Sequence, residues 1–304
     1  MSAAGTWTGN RTVEVSVILS TCQDPVCLEK AAWGYFKQSY QDFELLIADD
    51  GLQPDAAEVQ RLRRETGLTI RRVGHGSQGE PKCAALNRAI EAAAGDYLVF
   101  SEDRCIPRWD FLESHVRLAR PSRFLCGWSV SLPAPLSRRI AVEDVVAGRA
   151  TDPHWLRAEG LLRDERSGIL RCGPWRAWLA DNLPGLSPVW NSANASVWKA
   201  DLLAVNGFDE RVAHGALDRE LGERLANAGV RAKRVGHQAV CVQLYVPHRY
   251  LRREALERNL SLSRESRRTR ATWTPFGIRK GFRVLGVEPA THPAEPGDQR
   301  RAVA

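Results

Sequence analysis

Between Val13 and Phe100 the chain alternates four apolar strand patterns with three helical ones, and this alternation constrains its fold more than any other feature. Val13-Glu-Val-Ser-Val-Ile-Leu19 becomes apolar throughout toward its end, as a central parallel strand does. Asp24-Pro25 then predicts a helix start, with the acid as cap and proline in the first turn. Leu28, Ala31, Ala32, Tyr35 and Phe36 continue at helical spacing. A second strand, Phe43 to Ala48, runs into Asp49-Asp50-Gly51. A helix from about Asp55 to Glu65, a strand from Leu68 to Val73, a helix from about Pro81 to Ala94 and a strand from Tyr97 to Phe100 complete the series. Such an order predicts an α/β fold with a parallel sheet and right-handed crossovers.

After Pro107 the pattern changes. A helix over Trp109–Ala119 leads to an expected strand from Phe124 to Leu132. Pro133 to Trp190 is rich in proline, arginine and tryptophan and weakly periodic, and a long insert of this kind in a compact domain is usually functional. Helices are expected near Ala200 and over Leu217–Ala228, a strand pair between Val230 and Leu244, and an amphipathic basic helix from His248 to Arg268. From about Pro289 the composition is that of a disordered tail.

Composition narrows the function classes. At 304 residues, 43% hydrophobic and 26% charged, the chain can bury a full core. No run reaches the roughly 18 apolar residues that span a bilayer, and Met1 to Arg11 has no apolar leader, so a cytoplasmic location is expected. Seven cysteines without CxxC spacing predict reduced thiols. The net charge of +7 is concentrated between Arg249 and Arg283. That basic segment suits either a solvated helix face or an anionic surface; no nucleic-acid reading motif accompanies it.

The chemistry converges on strand ends. Tyr97 to Phe100 runs into Glu102-Asp103, and acids at the carboxyl edge of a parallel sheet are where α/β proteins hold phosphates and metals. A cation, Arg104, follows where a third acid could stand. Asp49-Asp50 and Ser20-Thr21 end neighbouring strands at the same edge, placed to bond a base or ribose. Gly74-His-Gly-Ser-Gln-Gly79 fits the dinucleotide fingerprint GxGxxG. It falls on the third strand–helix unit instead of the first, and Glu80 would stand near the pyrophosphate, so nicotinamide binding is the lesser reading.

Val15-Ser-Val-Ile-Leu-Ser-Thr21, Gln41-Asp-Phe-Glu-Leu-Leu-Ile-Ala-Asp-Asp-Gly51, Ala84-Ala-Leu-Asn-Arg-Ala89 and Gly95-Asp-Tyr-Leu-Val-Phe100, in that order, resemble the nucleotide-binding half of family 2 glycosyltransferases. Val205-Asn-Gly-Phe-Asp-Glu210 and His214-Gly-Ala-Leu-Asp-Arg-Glu-Leu221 resemble the acceptor half, as in galactosyltransferase-like C-terminal regions. The resemblance implies a GT-A fold, with a Rossmann-like parallel nucleotide-binding half (12–107) and a mixed-sheet acceptor half (108–248). A tail (1–11), a basic helical extension (249–285) and a disordered tail (286–304) would flank it. It also implies a nucleoside-diphosphate-sugar donor, a UDP-sugar first, and a glycan or lipid-linked acceptor. Asp50 would hold the base beside Ser20 and Thr21, Lys82 would approach the phosphates, Glu102 and Asp103 would form the acidic metal segment, and Asp218 would be the general base.

The chain departs from the family at linked places. Arg104 replaces the expected metal-binding acid, and Gln243-Leu-Tyr-Val-Pro247 lacks both histidines of the late His-Leu-x-His-Pro pattern. Losses at two sites for one ion disfavour Mn or Mg, with Asp103 the remaining candidate ligand. A guanidinium can pair with phosphate oxygens in the metal's place. Two readings follow: a metal-independent inverting transferase, or a protein that binds nucleotide sugars without turnover. The insert tryptophans, Trp155, Trp175, Trp178 and Trp190, suit sugar stacking or loop packing alike, and Trp190 with Asn191 is the best acceptor candidate. The basic terminal helix could touch the inner face of a membrane.

Overall fold

The computed structural model describes residues 14–21, 24–49, 56–74, 81–162, 167–183, 189–212, 217–247 and 253–281, with the backbone alone at 217 and 253–255. The alternating N-terminal elements are β1 (Val15–Ser20), α1 (Pro25–Phe36), β2 (Phe43–Ala48), α2 (Ala56–Thr66), β3 (Ile70–Val73), α3 (Lys82–Ala92) and β4 (Tyr97–Glu102). Asp24 caps α1 through a bond from the Val26 amide (3.0 Å), with Pro25 in the first turn. A tight turn then leads to β5 (Cys105–Pro107) and α4 (Phe111–Leu118), followed by β6 (Arg123–Cys126) and β7 (Ser129–Ser131).

Two sheets result. The larger runs β3-β2-β1-β4 in parallel and continues through β8 (Asn194–Trp198), β6 and β9 (Arg231–Arg234), with β8 alone antiparallel to its neighbours. The smaller places β10 (Cys241–Gln243) between β5 and β7. The expected strand Phe124–Leu132 is therefore two strands in two sheets. The chain turns at Gly127, whose amide bonds Asn194 O and where a Cβ would come within 2.6 Å of Asn194 Nδ2. The two strands expected between Val230 and Leu244 are β9 and β10, and they lie in different sheets.

Burial follows the two-residue period of the strands. Ile18, Leu98 and Phe100 face one core with Leu86, Ile90 and residues of α9 (Lys199–Ala204) and α10 (Leu217–Asn227). Val17, Leu19, Tyr97 and Val99 face the other, under α1, α2 and α4. The weakly periodic insert folds as short helices, α5 (Ala134–Arg139), α6 (Val142–Val146), α7 (Pro153–Ala158) and α8 (Pro174–Asn182), with 3-10 turns at Arg149–Thr151 and Ser167–Arg171. Leu136, Val145, Leu156 and Ile169 close a third core over the small sheet. The basic helix α11 (Arg253–Thr269) packs on α10, with Ser266 Oγ bonding Glu220 and Asn227 Nδ2 bonding Ser266 O.

One clamp joins α3 to the later segment, and a second holds that segment together. Asn87 of α3 donates to Phe208 O (2.9 Å) and accepts from the Phe208 amide (2.7 Å). Gly207 stands at φ +67°, and a Cβ there would collide with Asn87 Oδ1. Arg224 of α10, fully buried, forms a two-point ion pair with Glu220 and donates to the carbonyls of Val205 and Gly207. The turn after α9 is thereby tied to both α3 and α10.

Candidate active site

Register brings three strand ends to one edge: Ser20 of β1 lies beside Ala48 of β2 on one side and Glu102 of β4 on the other. The buried hydroxyls of Ser20 and Thr21 make no hydrogen bond among the described residues. A buried hydroxyl left so costs about 1–3 kcal/mol, so this edge favours a ligand that supplies partners. Asp49 is fully buried, its amide bonding Val73 O and its carboxylate paired with Arg72 at 2.5 Å. Asp50, assigned to the base by resemblance, lies outside the described residues. So does the 75–79 part of the glycine-rich run; Gly74 itself packs where a Cβ would meet Asp49 O at 2.7 Å.

Glu102 is the centre of charge. Its Oε1 accepts from Lys82 Nζ (3.2 Å), and its Oε2 accepts from Arg104 Nε (2.7 Å) and Gln243 Nε2 (3.0 Å). Burial acts to raise its pKa, but Lys82 and then Arg104 outweigh that and bring it down to about 2. Lys82, at the start of α3, is held protonated in turn. Burial works against its charge, and Glu102, then Asp218, more than offset it. Asp103 is buried beside them, its amide bonding Ser20 O. The turn is fixed from the far side, where the Leu244 amide donates to Arg104 O and β10 pairs with β5.

Asp218 approaches this cluster from the first turn of α10. Its Oδ1 accepts from the Ser192 amide (2.9 Å) and from Ser192 Oγ (2.5 Å). Burial raises its pKa, opposed by both Ser192 bonds and the Lys82 charge, with Glu102 adding to the rise. An ionised carboxylate of raised basicity beside a cation can take a proton from a hydroxyl.

The structure gives Trp190 a different place from that of an acceptor platform. It is 1% exposed, with its ring among Phe100, Phe124 and Phe208, and its Nε1 donates to Ser192 Oγ (3.0 Å). The tryptophan thus sets the serine that holds Asp218. Asn191 spends its side chain on Gly127 O and the Ala193 amide, fixing the loop. Ser192 escapes a reading by residue type, although its position between Trp190-Asn191 and β8 is a signal of sorts. Gln243 is visible in the sequence as a lost histidine; its bond to Glu102 is visible only in the fold.

A divalent cation at this edge would need oxygen donors of its own. Such an ion takes several oxygen ligands not already bonded to cations. Both oxygens of Glu102 accept from cationic or amide donors, and among the described residues no three His, Cys, Asp or Glu side chains converge. Glu102 is thus committed to cations, and the buried Asp103 is the other carboxylate of the segment. A groove of about 910 Å³ between α10, α11 and β9, with Arg219, Arg231, Arg264 and Arg267 on its walls, lies apart from this cluster.

Residues 16–131 match the model of glycosyl transferase family 2. Among solved structures the chain is similar to the mannosyltransferase PcManGT from Pyrobaculum calidifontis in complex with GDP-Man and Mn2+, at 18% identity and a TM-score of 0.53, covering 79% of this chain and 59% of that one. It is also similar to S. aureus TarS, at 12% identity and a TM-score of 0.54, covering 83% and 39%. For S. aureus TarS 1-349 in complex with UDP the values are 14%, 0.52, 82% and 64%. The chain spans less than two-thirds of each of these proteins. At these identities the likeness is one of fold, and the fold is GT-A. No curated protein matches the chain significantly.

Proposed function

We propose that this chain, whose residues 16–131 match the model of glycosyl transferase family 2, is an inverting glycosyltransferase that works without a divalent metal. Lys82 and Arg104 offset the charge of the leaving diphosphate, and Asp218 is the base. The observation that carries this reading is the arrangement of the site: Lys82 and Arg104 share the Glu102 carboxylate at the strand edge, and Asp218, held by Ser192, lies close enough to help keep Lys82 charged.

The donor is a nucleoside-diphosphate sugar, a UDP-sugar first, with its base at Asp50 and its ribose and phosphates toward Ser20, Thr21, Lys82 and Asp103. PcManGT is bound to GDP-Man and TarS 1-349 to UDP in the solved complexes, which supports a donor of this class. The acceptor is a hydroxyl of a glycan or lipid-linked saccharide. Its oxygen bonds to the anomeric carbon from the face opposite the diphosphate, its proton passes to Asp218, and the C–O bond to the diphosphate breaks with its electron pair leaving on the nucleotide. Glu102 does not reach for the donor in this scheme; it fixes the two cations at a set spacing. A preorganised cation in a dry site is worth about 10²–10³ in rate.

Steady-state release of nucleoside diphosphate from a panel of sugar donors tests the reading. Turnover by the wild type, slowed by about 10²–10⁴ in Asp218→Asn at equal donor affinity, is the expected result. Donor binding without turnover in the wild type would leave a nucleotide-sugar-binding protein instead. No described helix is long and apolar enough to cross a membrane.

A further inference from the structure

Helix α8 has two unlike sides. Ala177 and Asp181, one turn apart, face inward. The Asp181 carboxylate accepts from the His237 amide and ring and from Gln238 Nε2, and its carbonyl accepts from Lys233 Nζ. Lys233 also donates to Asn182 (2.6 Å), and Arg234 to Leu183 O, so the helix is bolted to β9. The other side carries Trp175, Trp178 and Leu179, at the i, i+3, i+4 spacing of a single helical face. They are 67%, 57% and 45% exposed, and Leu183 just beyond is 55% exposed.

The exposed charges on and just before this helix, from Ser167 onward, are positive. Between Ser167 and Leu183 the chain has two arginines, Arg171 and Arg176, both exposed, and one acid, the buried Asp181. The Arg176 guanidinium lies 5.4 Å over the Trp175 ring. A rigidly anchored helix that presents indoles and leucines, with Arg176 on one of them and Lys233 and Arg234 bonded at its end, matches the water–lipid interface of an anionic bilayer. Indoles settle at headgroup depth there and arginines meet phosphates.

We propose that the Trp175–Trp178–Leu179–Leu183 face of α8 docks the protein on anionic membranes. This relocates the membrane contact expected of the basic terminal helix. α11 has the charge, with Arg258, Arg264, Arg267 and Arg268 exposed, but among its described residues no large hydrophobic one is exposed. The proposal does not rest on the catalytic reading, because none of these residues belongs to the Glu102–Lys82–Asp218 cluster.

The test is co-sedimentation of the full chain with vesicles of equimolar phosphatidylglycerol and phosphatidylcholine, and with phosphatidylcholine alone. The wild type is expected to pellet with the anionic vesicles, less so at high salt. The double variant Trp175→Ala/Trp178→Ala should lose about ten-fold or more in partitioning, with an unchanged melting temperature because both rings are exposed. Arg264→Glu/Arg267→Glu should partition nearly as the wild type does. The proposal is overturned if the wild type stays in the supernatant or if the tryptophan variant pellets undiminished. It is equally overturned if binding is lost in the α11 variant and kept in the α8 one.

Discussion

Arg104 and Glu102, two residues apart across the turn that ends β4, form an ion pair of 2.7 Å, and the same carboxylate receives Lys82 and Gln243. The acid that opens the strand-end segment thus organises cations. That inverts what an acidic segment normally does at this edge.

The pair has a consequence for stability. The Glu102 pKa is lowered from an ordinary 4.5 to about 2, so its contribution is fully present above the unfolded value and is lost as pH falls through the folded one. Urea unfolding between pH 6 and pH 2 should show Glu102→Gln with a flatter pH dependence than the wild type. Parallel curves for the two proteins would count against the pairing.

How much of this could be read from the chain varies with the physics involved. The four parallel strands and their helices follow from short-range patterns, and Asp24-Pro25 marks the first helix start as the structure has it. The β6–β7 break was illegible because Phe124 to Leu132 is apolar enough for one strand; only the close approach of Asn194 to Gly127 separates the two sheets. The insert hid its helices because they are five to nine residues long, too short for a clear period. Trp190 shows why residue type misleads: an indole suits a sugar or a core, and Phe100, Phe124 and Phe208 decide for the core.

For the proposed base, Asp218→Asn should lower kcat by about 10²–10⁴ while leaving the Kd for donor in place. Because the Asp218 pKa is raised, first by burial, the acid limb of kcat/KM should lie above the ordinary aspartate range. Ser192→Ala removes a bond that favours the ionised form, so that limb should move further up in pH. An unmoved limb would mean that Ser192 does not position Asp218.

Arg224→Ala leaves Glu220 buried without its cation and strips donors from the carbonyls of Val205 and Gly207. A loss of about 3–5 kcal/mol is expected in chemical denaturation. A loss below about 1 kcal/mol would show that the pair does not hold α10 in place.

Gly207→Ala places a Cβ on a backbone of φ +67° and against Asn87. The strain should cost about 1–3 kcal/mol, and Asn87→Ala in the same chain should recover part of it. Additive losses in that double-mutant cycle would refute the contact.

The metal question decides most. Release of nucleoside diphosphate should be measured with the wild type and with Arg104→Met, each in chelator and again with added manganese. The account predicts a wild type indifferent to both additions, and an Arg104→Met variant slowed by about 10²–10³ that manganese does not restore. Wild-type turnover abolished by chelator and recovered with manganese would contradict it.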